Sequence, residues 1–213
     1  MIYQSINESV LRQIPEGTRS LLDVGCGGGV FGEAVKRAIP GCSVTGLTYS
    51  DAEAAECRKR LDRVEVADLD TFDPSGLGQF DCIVCSHVLE HLRQPDVVLV
   101  RLRGCLSQNG SVVVALPNVL FWKQRLEFLR GRFRYTEGGL MDDTHLRFFD
   151  WASTAALVTE AGFDITRRHA DGNVPFSSLL GRTVGGAANR LGLSWFPGFF
   201  GFQFVLLVRP RTS

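Results

Sequence analysis

Leu21-Leu22-Asp23-Val24-Gly25-Cys26-Gly27-Gly28-Gly29 decides how the rest of the chain is read. Residues 20 to 24 are an apolar run ending beside an acid, the pattern of a buried strand. The glycines that follow let the backbone turn sharply and come close to a ligand. From Val30 the pattern becomes helical, so a helix start faces whatever lies over the glycines, offering N–H groups and a partial positive charge. A carboxylate at the tip of a buried strand costs desolvation unless it accepts hydrogen bonds or meets a cation. Asp23 therefore reads as a ligand-facing group.

Outward from this stretch, Phe31 to Ile39 reads as a crossover helix stopped by Pro40-Gly41, and Ser43 to Thr48 as a second strand. Strand, helix and strand make a βαβ unit. Residues 51 to 61 have a helix-forming mixture and lead to a third strand, Val64 to Asp68. Phe80 to Ser86 is a fourth strand, Val97 to Leu106 a helix, Asn109-Gly110 a turn and Ser111 to Leu116 a fifth strand. Before them, Ile6, Val10, Leu11 and Ile14 have helical spacing, which predicts an N-terminal helix within residues 1 to 17.

The spacing Asp-x-Gly-x-Gly-x-Gly at Asp23, Gly25, Gly27 and Gly29 resembles the first motif of class I S-adenosylmethionine-dependent methyltransferases. The resemblance implies a Rossmann-like, doubly wound α/β domain over residues 1 to 213. Its mostly parallel sheet would have seven strands, the last antiparallel, with tail candidates at Phe163 to Arg168 and Gln203 to Val208. It also implies S-adenosyl-L-methionine as cofactor, held by Asp23, Gly25, Cys26, Gly27 and Gly29. Asp68, followed by Leu69, holds the place of the acid that receives the adenine amino group. Phe80 to Leu92 is similar to the fourth-motif region of quinone-precursor and polysaccharide-modifying members, which puts Ser86 and His87 at the methionine end.

The second strand ends in Thr48 where the family has an acid for the ribose hydroxyls. Thr48 or Ser50 could supply a hydroxyl there, or Asp51 or Glu53 could reach in, while Ser50-Asp51-Ala52-Glu53 also reads as a capping box. Gly27, Gly29 and Gly32 match a GxGxxG pattern, which opens a nicotinamide-dependent oxidoreductase as an alternative. That match starts late after the strand, and no acid closes the second strand. A scaffold protein that keeps the fold without catalysis is the other alternative.

Residues 118 to 150 form an insertion after the fifth strand, read as a helical lid. Val119, Trp122, Leu126 and Leu129 have helical spacing, and Lys123, Arg125, Arg130, Arg132 and Arg134 face only Glu127 in charge. Such a lid suits a phosphate or carboxylate on the acceptor. Tyr135 to Phe149, with Pro117-Asn118 and Gly131-Arg132-Phe133, is similar to a bacterial subgroup associated with surface-polysaccharide or secondary-metabolite pathways. Asn118, Trp122, Arg125, Tyr135 and Arg147 are the candidate acceptor contacts. His145 is the first candidate for a general base and His87 the second. Asp142, Asp143 and His145 lack a second ligand cluster, so no metal is expected.

The formal net charge is zero, which gives no case for nucleic acid. No apolar run reaches membrane-spanning length and no secretory leader is recognisable, so a cytoplasmic enzyme of small-molecule acceptors is expected. The six cysteines fit a reducing compartment, and Cys82 and Cys85 would point to opposite faces of one strand. Residues 171 to 202 are dense in Gly, Phe and Leu, enough to roof an apolar pocket, hold a lipid carrier or make a homodimer contact. The reading that results is methyl transfer to a hydroxyl of a sugar-like or anionic metabolite.

Overall fold

The computed structural model describes residues 6–211. Strand β1 (Ser20–Val24) pairs in parallel with β2 (Ser43–Thr48) on one side and β4 (Phe80–Ser86) on the other. β3 (Arg63–Val66) extends the sheet beyond β2, and β5 (Leu106–Pro117) beyond β4. Two longer strands complete it, β6 (Phe163–Gly172) and β7 (Gly201–Pro210). The order is β3-β2-β1-β4-β5-β7-β6, and β7 runs antiparallel to both of its neighbours. Chain order reverses between β1 and β4, so a crevice opens at their carboxyl ends, where open α/β sheets bind ligands.

Side chains alternate across the sheet as pleating requires. Leu22, Val24, Ile83, Cys85, Val112 and Val114 pack on one face. Leu21, Cys82, Val84, Val113 and Ala115 pack on the other. Cys82 and Cys85 thus sit on opposite faces, and all six cysteines are free and buried. Each fully buried aliphatic side chain contributes about 1.5–3 kcal/mol, so this two-sided burial holds the strand ends that carry the site. Ile83, fully buried, is a position where truncation to Ala would cost about 2–5 kcal/mol.

The helices between strands are shorter than the sequence pattern extends. α1 covers only Glu8–Leu11, capped by the Asn7 side chain; residues 1–5 of the expected N-terminal helix lie outside the described residues. α2 (Val30–Ala38) and α3 (Asp51–Cys57) follow the first two strands. α4 (Pro95–Arg103) starts two residues before the expected Val97, because proline fits the first helical position. In β5 the pairing jumps from Phe80 opposite Leu106 to Cys82 opposite Ser111, leaving the Asn109-Gly110 turn between.

The insertion holds one helix, α5 (Trp122–Leu129), instead of a helix over the whole of 118 to 134. A bridge between Asn118 and Phe149 closes its two ends. The N–H groups of Leu146 and Arg147 donate to the Glu90 carbonyl at 2.9 and 3.0 Å, tying the loop to the segment after β4. α6 (Trp151–Glu160) then starts with a reciprocal capping box between Asp150 and Ser153. After β6 come α7 (Gly181–Trp195) and the single turn α8 (Pro197–Phe200).

Candidate active site

A cavity of about 1220 Å³ lies over the carboxyl ends of β1, β2 and β4. Gly25, Gly27 and Gly29 all have positive φ, at 75°, 51° and 80°, which L side chains resist. The N–H groups of Gly25 and Cys26 donate to the Leu47 carbonyl, which anchors the loop on β2. A Cβ on Gly25 would meet Val88 at 2.8 Å, so this turn requires glycine. Gly25, Cys26 and Gly27 line the cavity. Gly29 does not; it begins α2, whose first turn has no side-chain cap, and it packs on Cys57. The thiols of Cys26 and Cys57 lie 3.2 Å apart, and hydrogen bonding with burial pushes Cys26 up.

Asp23 is 3% exposed, lines the cavity, and its Oδ2 has no partner. Burial raises its pKa to about 7. A carboxyl kept at this cost at a strand tip is built to meet a cationic or hydrogen-bonding ligand. S-adenosyl-L-methionine carries an ammonium and a sulfonium, and this orphaned acid over a glycine loop fits it.

At the end of β2 a carboxylate arrives from the following helix. Thr48 donates its hydroxyl to Glu53 Oε2 at 2.6 Å, and both line the cavity. Glu53 comes from the first turn of α3, five residues after the strand end. Ser50 does not line the cavity: its hydroxyl accepts from the Glu53 N–H as the helix N-cap. Half of a capping box is present, and the Glu53 carboxylate turns to Thr48 instead of completing it. Asp68 and Leu69 line the next part of the wall, with Asp68 Oδ1 accepting from the Asp70 N–H at 3.0 Å.

Ser86 and His87 end β4 on the same wall. His87 has φ of 53°, a strained value for a residue other than glycine. Its Nε2 lies 2.7 Å from Gln203 Oε1, and its Nδ1 lies 3.2 Å from Glu90 Oε1. Gln203 Nε2 donates to the Asp171 carboxylate at 3.0 Å, which fixes the amide so that Oε1 faces the ring. Both ring nitrogens are thus engaged, an arrangement that favours the charged ring. Burial works against that charge, but Glu90 and Gln203 outweigh it and hold the pKa above the ordinary value. His87, the second candidate base, has both ring nitrogens occupied by these two contacts. Asn7 donates to Gln203 Oε1 at 2.9 Å and to Ser86 Oγ at 3.4 Å, so the segment before α1 joins this network.

His145 sits across the cavity on the insertion, 9% exposed, with Nδ1 unpartnered. Burial lowers its pKa below the usual 6.5, against the pull of Glu90. The shift favours the neutral ring, which keeps a lone pair. Asp142 accepts from the N–H and hydroxyl of Thr144 instead of bonding the His145 ring. Glu90, His91 and His145 bring ligand atoms within 4.8 Å of one another. An ion about 2.1 Å from each ligand would need them closer.

A second cavity of about 570 Å³ adjoins, sharing Gly138, Gly139 and Phe202 with the first. Lys123, Gln124, Glu127, Arg132 and Arg134 line it, with Arg132 donating to Glu127 at 3.4 Å, so the cations outnumber the one acid. None of the five expected acceptor contacts lines either cavity. Asn118 is fully buried, donating to the carbonyls of Gly198 and Gly201 and accepting from Leu120 N–H. Trp122 donates Nε1 to the Asn173 carbonyl, and Arg125 donates to the Leu120 carbonyl. Tyr135 packs on Phe133 and Phe148, and Arg147 donates to the Arg93 carbonyl. Their polar groups are spent on fixing the insertion. The adjacent residues Lys123 and Gln124 face inward because Trp122 and Arg125 are anchored outward, a rotation set by Asn173 and Phe199 in the tail and invisible in the helix's own spacing.

A family model described as a methyltransferase domain matches residues 3–168. The ubiquinone biosynthesis O-methyltransferase of Pseudomonas paraeruginosa is 31% identical over 106 residues, 47% of this chain and 45% of that protein. The mitochondrial enzyme of that name from Schizosaccharomyces pombe is 35% identical over 104 residues, 46% of this chain and 37% of that one. These matches span less than half the length of either relative. The structure resembles a SAM-dependent methyltransferase from Archaeoglobus fulgidus with a TM-score of 0.67 at 18% identity, over 94% of this chain and 91% of that chain. Likeness at that identity shows the fold. With the family model covering well over half of its length, the chain belongs to the S-adenosyl-L-methionine-dependent methyltransferases.

Proposed function

We propose that the chain transfers a methyl group from S-adenosyl-L-methionine to a hydroxyl of a small, sugar-like metabolite that carries a negative charge. The observation that carries this reading is the shared wall: the cavity with Lys123, Arg132 and Arg134 adjoins the cofactor cavity along Gly138, Gly139 and Phe202. An acceptor whose anion meets Lys123, Arg132 and Arg134 can extend a hydroxyl past the glycines toward His145. The O-methyltransferase names of the relatives support oxygen as the accepting atom.

The bound cofactor supplies an activated methyl on a sulfonium. In this reading Asp23 and the glycine loop hold its methionine end, Glu53 accepts from the ribose and Asp68 from the adenine amine. The acceptor oxygen forms its bond to the methyl carbon as the carbon–sulfur bond breaks and leaves a neutral thioether, and the hydroxyl proton goes to His145. Alignment in such a displacement contributes about 7–11 kcal/mol, so the insertion's main task is positioning and exclusion of water.

Calorimetric titration with S-adenosyl-L-methionine, its demethylated product and NADH tests the first half. Binding of the first two without the third is expected; binding of NADH alone would overturn it. Labelled methyl transfer to paired hydroxyl acceptors, with and without a phosphate or carboxylate, tests the second half. Preference for the charged member is expected, and equal turnover of neutral acceptors would remove the anion subsite.

A further inference from the structure

Among the described residues, 12 of the 17 large exposed hydrophobic side chains fall in two stretches, residues 126–135 and 176–202. The second stretch holds α7, whose Val184, Leu191 and Trp195 are 62%, 58% and 73% exposed. Their spacing of seven and four places them on one stripe of the helix. An amphipathic helix ordinarily turns such a stripe to the core, and here the other side is fastened inward. Asn189 bonds the Val174 N–H and the Gly172 carbonyl, and a Cβ on Gly192 would meet Val174 at 2.3 Å. Phe196 and Phe199, 59% and 43% exposed, continue the apolar surface into α8.

The charge around this surface has one sign. Residues 172–202, which hold α7 and α8, have two arginines and no aspartate or glutamate, although the whole chain is neutral. Arg190 is exposed on α7, and the Arg125 guanidinium lies 5.4 Å from the Phe199 ring centroid at the border with α5. Two copies of this face would set arginine against arginine with no acid between them. A partner that supplies negative charge together with apolar depth is an anionic lipid surface.

We propose that α7 and α8 dock this protein on the surface of an anionic phospholipid bilayer. Leu191, Trp195, Phe196 and Phe199 enter the boundary between headgroups and acyl chains, and the arginines stay among the phosphates. No described helix is long and apolar enough to cross a membrane, so the contact is interfacial. Asn173 and Phe202 flank this segment and also line the cationic cavity, so docking sets that cavity beside the lipid.

Cosedimentation of the full chain with phosphatidylcholine vesicles, with and without phosphatidylglycerol, tests the proposal. Binding to the anionic vesicles, weakened by salt, is expected. The double variant Leu191→Ser, Trp195→Ser is expected to lower the partition roughly tenfold or more, with S-adenosyl-L-methionine affinity unchanged as the control for folding. No binding to phosphatidylglycerol vesicles at low salt would overturn the proposal, as would equal binding by the variant. A solution dimer that the variant disrupts, without vesicle binding, would assign the face to self-association instead. The outcome is independent of which acceptor is methylated.

Discussion

The two cavities meet at the same three residues but are made of different material. The larger one is walled by strand ends and by polar groups withheld from water: Asp23, Thr48 and Glu90 are 3%, 3% and 0% exposed. The smaller one is walled by exposed lysine and arginine on α5 and the loop after it, and α5 buries no residue. Groups fixed in a dry wall are oriented before a ligand arrives, and their electrostatics are strong because water does not screen them. Exposed cations attract at longer range, adapt to shape and weaken with salt. A cofactor of constant structure suits the first kind of wall, and an acceptor suits the second.

The largest test falls on His145, which stands in the dry wall but belongs to the insertion. His145→Ala is expected to lower turnover about 10²- to 10⁴-fold with cofactor affinity nearly intact. Because its pKa is lowered from 6.5, the acid limb of the turnover profile should lie below pH 6.5. Full turnover in the variant would leave no proton acceptor on the insertion and break the division of labour.

Asp23→Asn comes next, with S-adenosyl-L-methionine binding weakened about tenfold or more, or about 1.4 kcal/mol, by calorimetry. The same change should stabilise the ligand-free fold at pH 8. With its pKa raised from 3.8 to about 7, Asp23 stays protonated in the fold while the unfolded chain has ionised. Stability therefore falls as pH rises through that window, by up to about 4 kcal/mol at 1.36 kcal/mol per unit. Thermal unfolding of wild type and variant at pH 5 and pH 8 measures the difference, and parallel curves would mean the carboxyl is not held neutral.

Smaller again is Glu53→Gln, expected to weaken cofactor binding a few-fold, by about 0.5–1.5 kcal/mol for one hydrogen-bonding acceptor. The smallest effect belongs to the exposed wall. Arg132→Ala and Arg134→Ala should each raise the acceptor KM by a factor of about 2–5, an effect of about 1 kcal/mol or less that fades in high salt. A loss that persists in high salt would show that the second cavity closes and dries on binding, which would sharpen the contrast into one between open and closed states.

Legibility follows the same boundary. Strand, glycine loop and helix succeed one another within a dozen residues, so the placing of Asp23, Gly25 and Gly27 on the cavity wall was legible from local pattern, while Asp68, two residues beyond the end of β3, was singled out only by the family resemblance. Glu53 was readable only as one of several candidates, because a helix-start glutamate has the same spacing whether it closes a capping box or turns to Thr48. His87 meets Gln203, 116 residues away, and no local pattern carries that contact. The candidate acceptor contacts lie off both cavity walls because the facing of α5 is decided by the tail, at Asn173 and Phe199. Spacing gives a helix its stripes but not the direction in which they point.

β7 is the last strand in the sequence, yet it lies between β5 and β6. During synthesis, five strands and the glycine loop can assemble while Val112, Val113 and Val114 of β5 still present an unpaired, wholly apolar edge. That edge has no lysine, proline or bulge along these residues to deter another chain. A ribosome stalled before residue 201 would hold a cofactor loop already shaped beside an open template for aggregation, one that closes only when β7 slides into its slot.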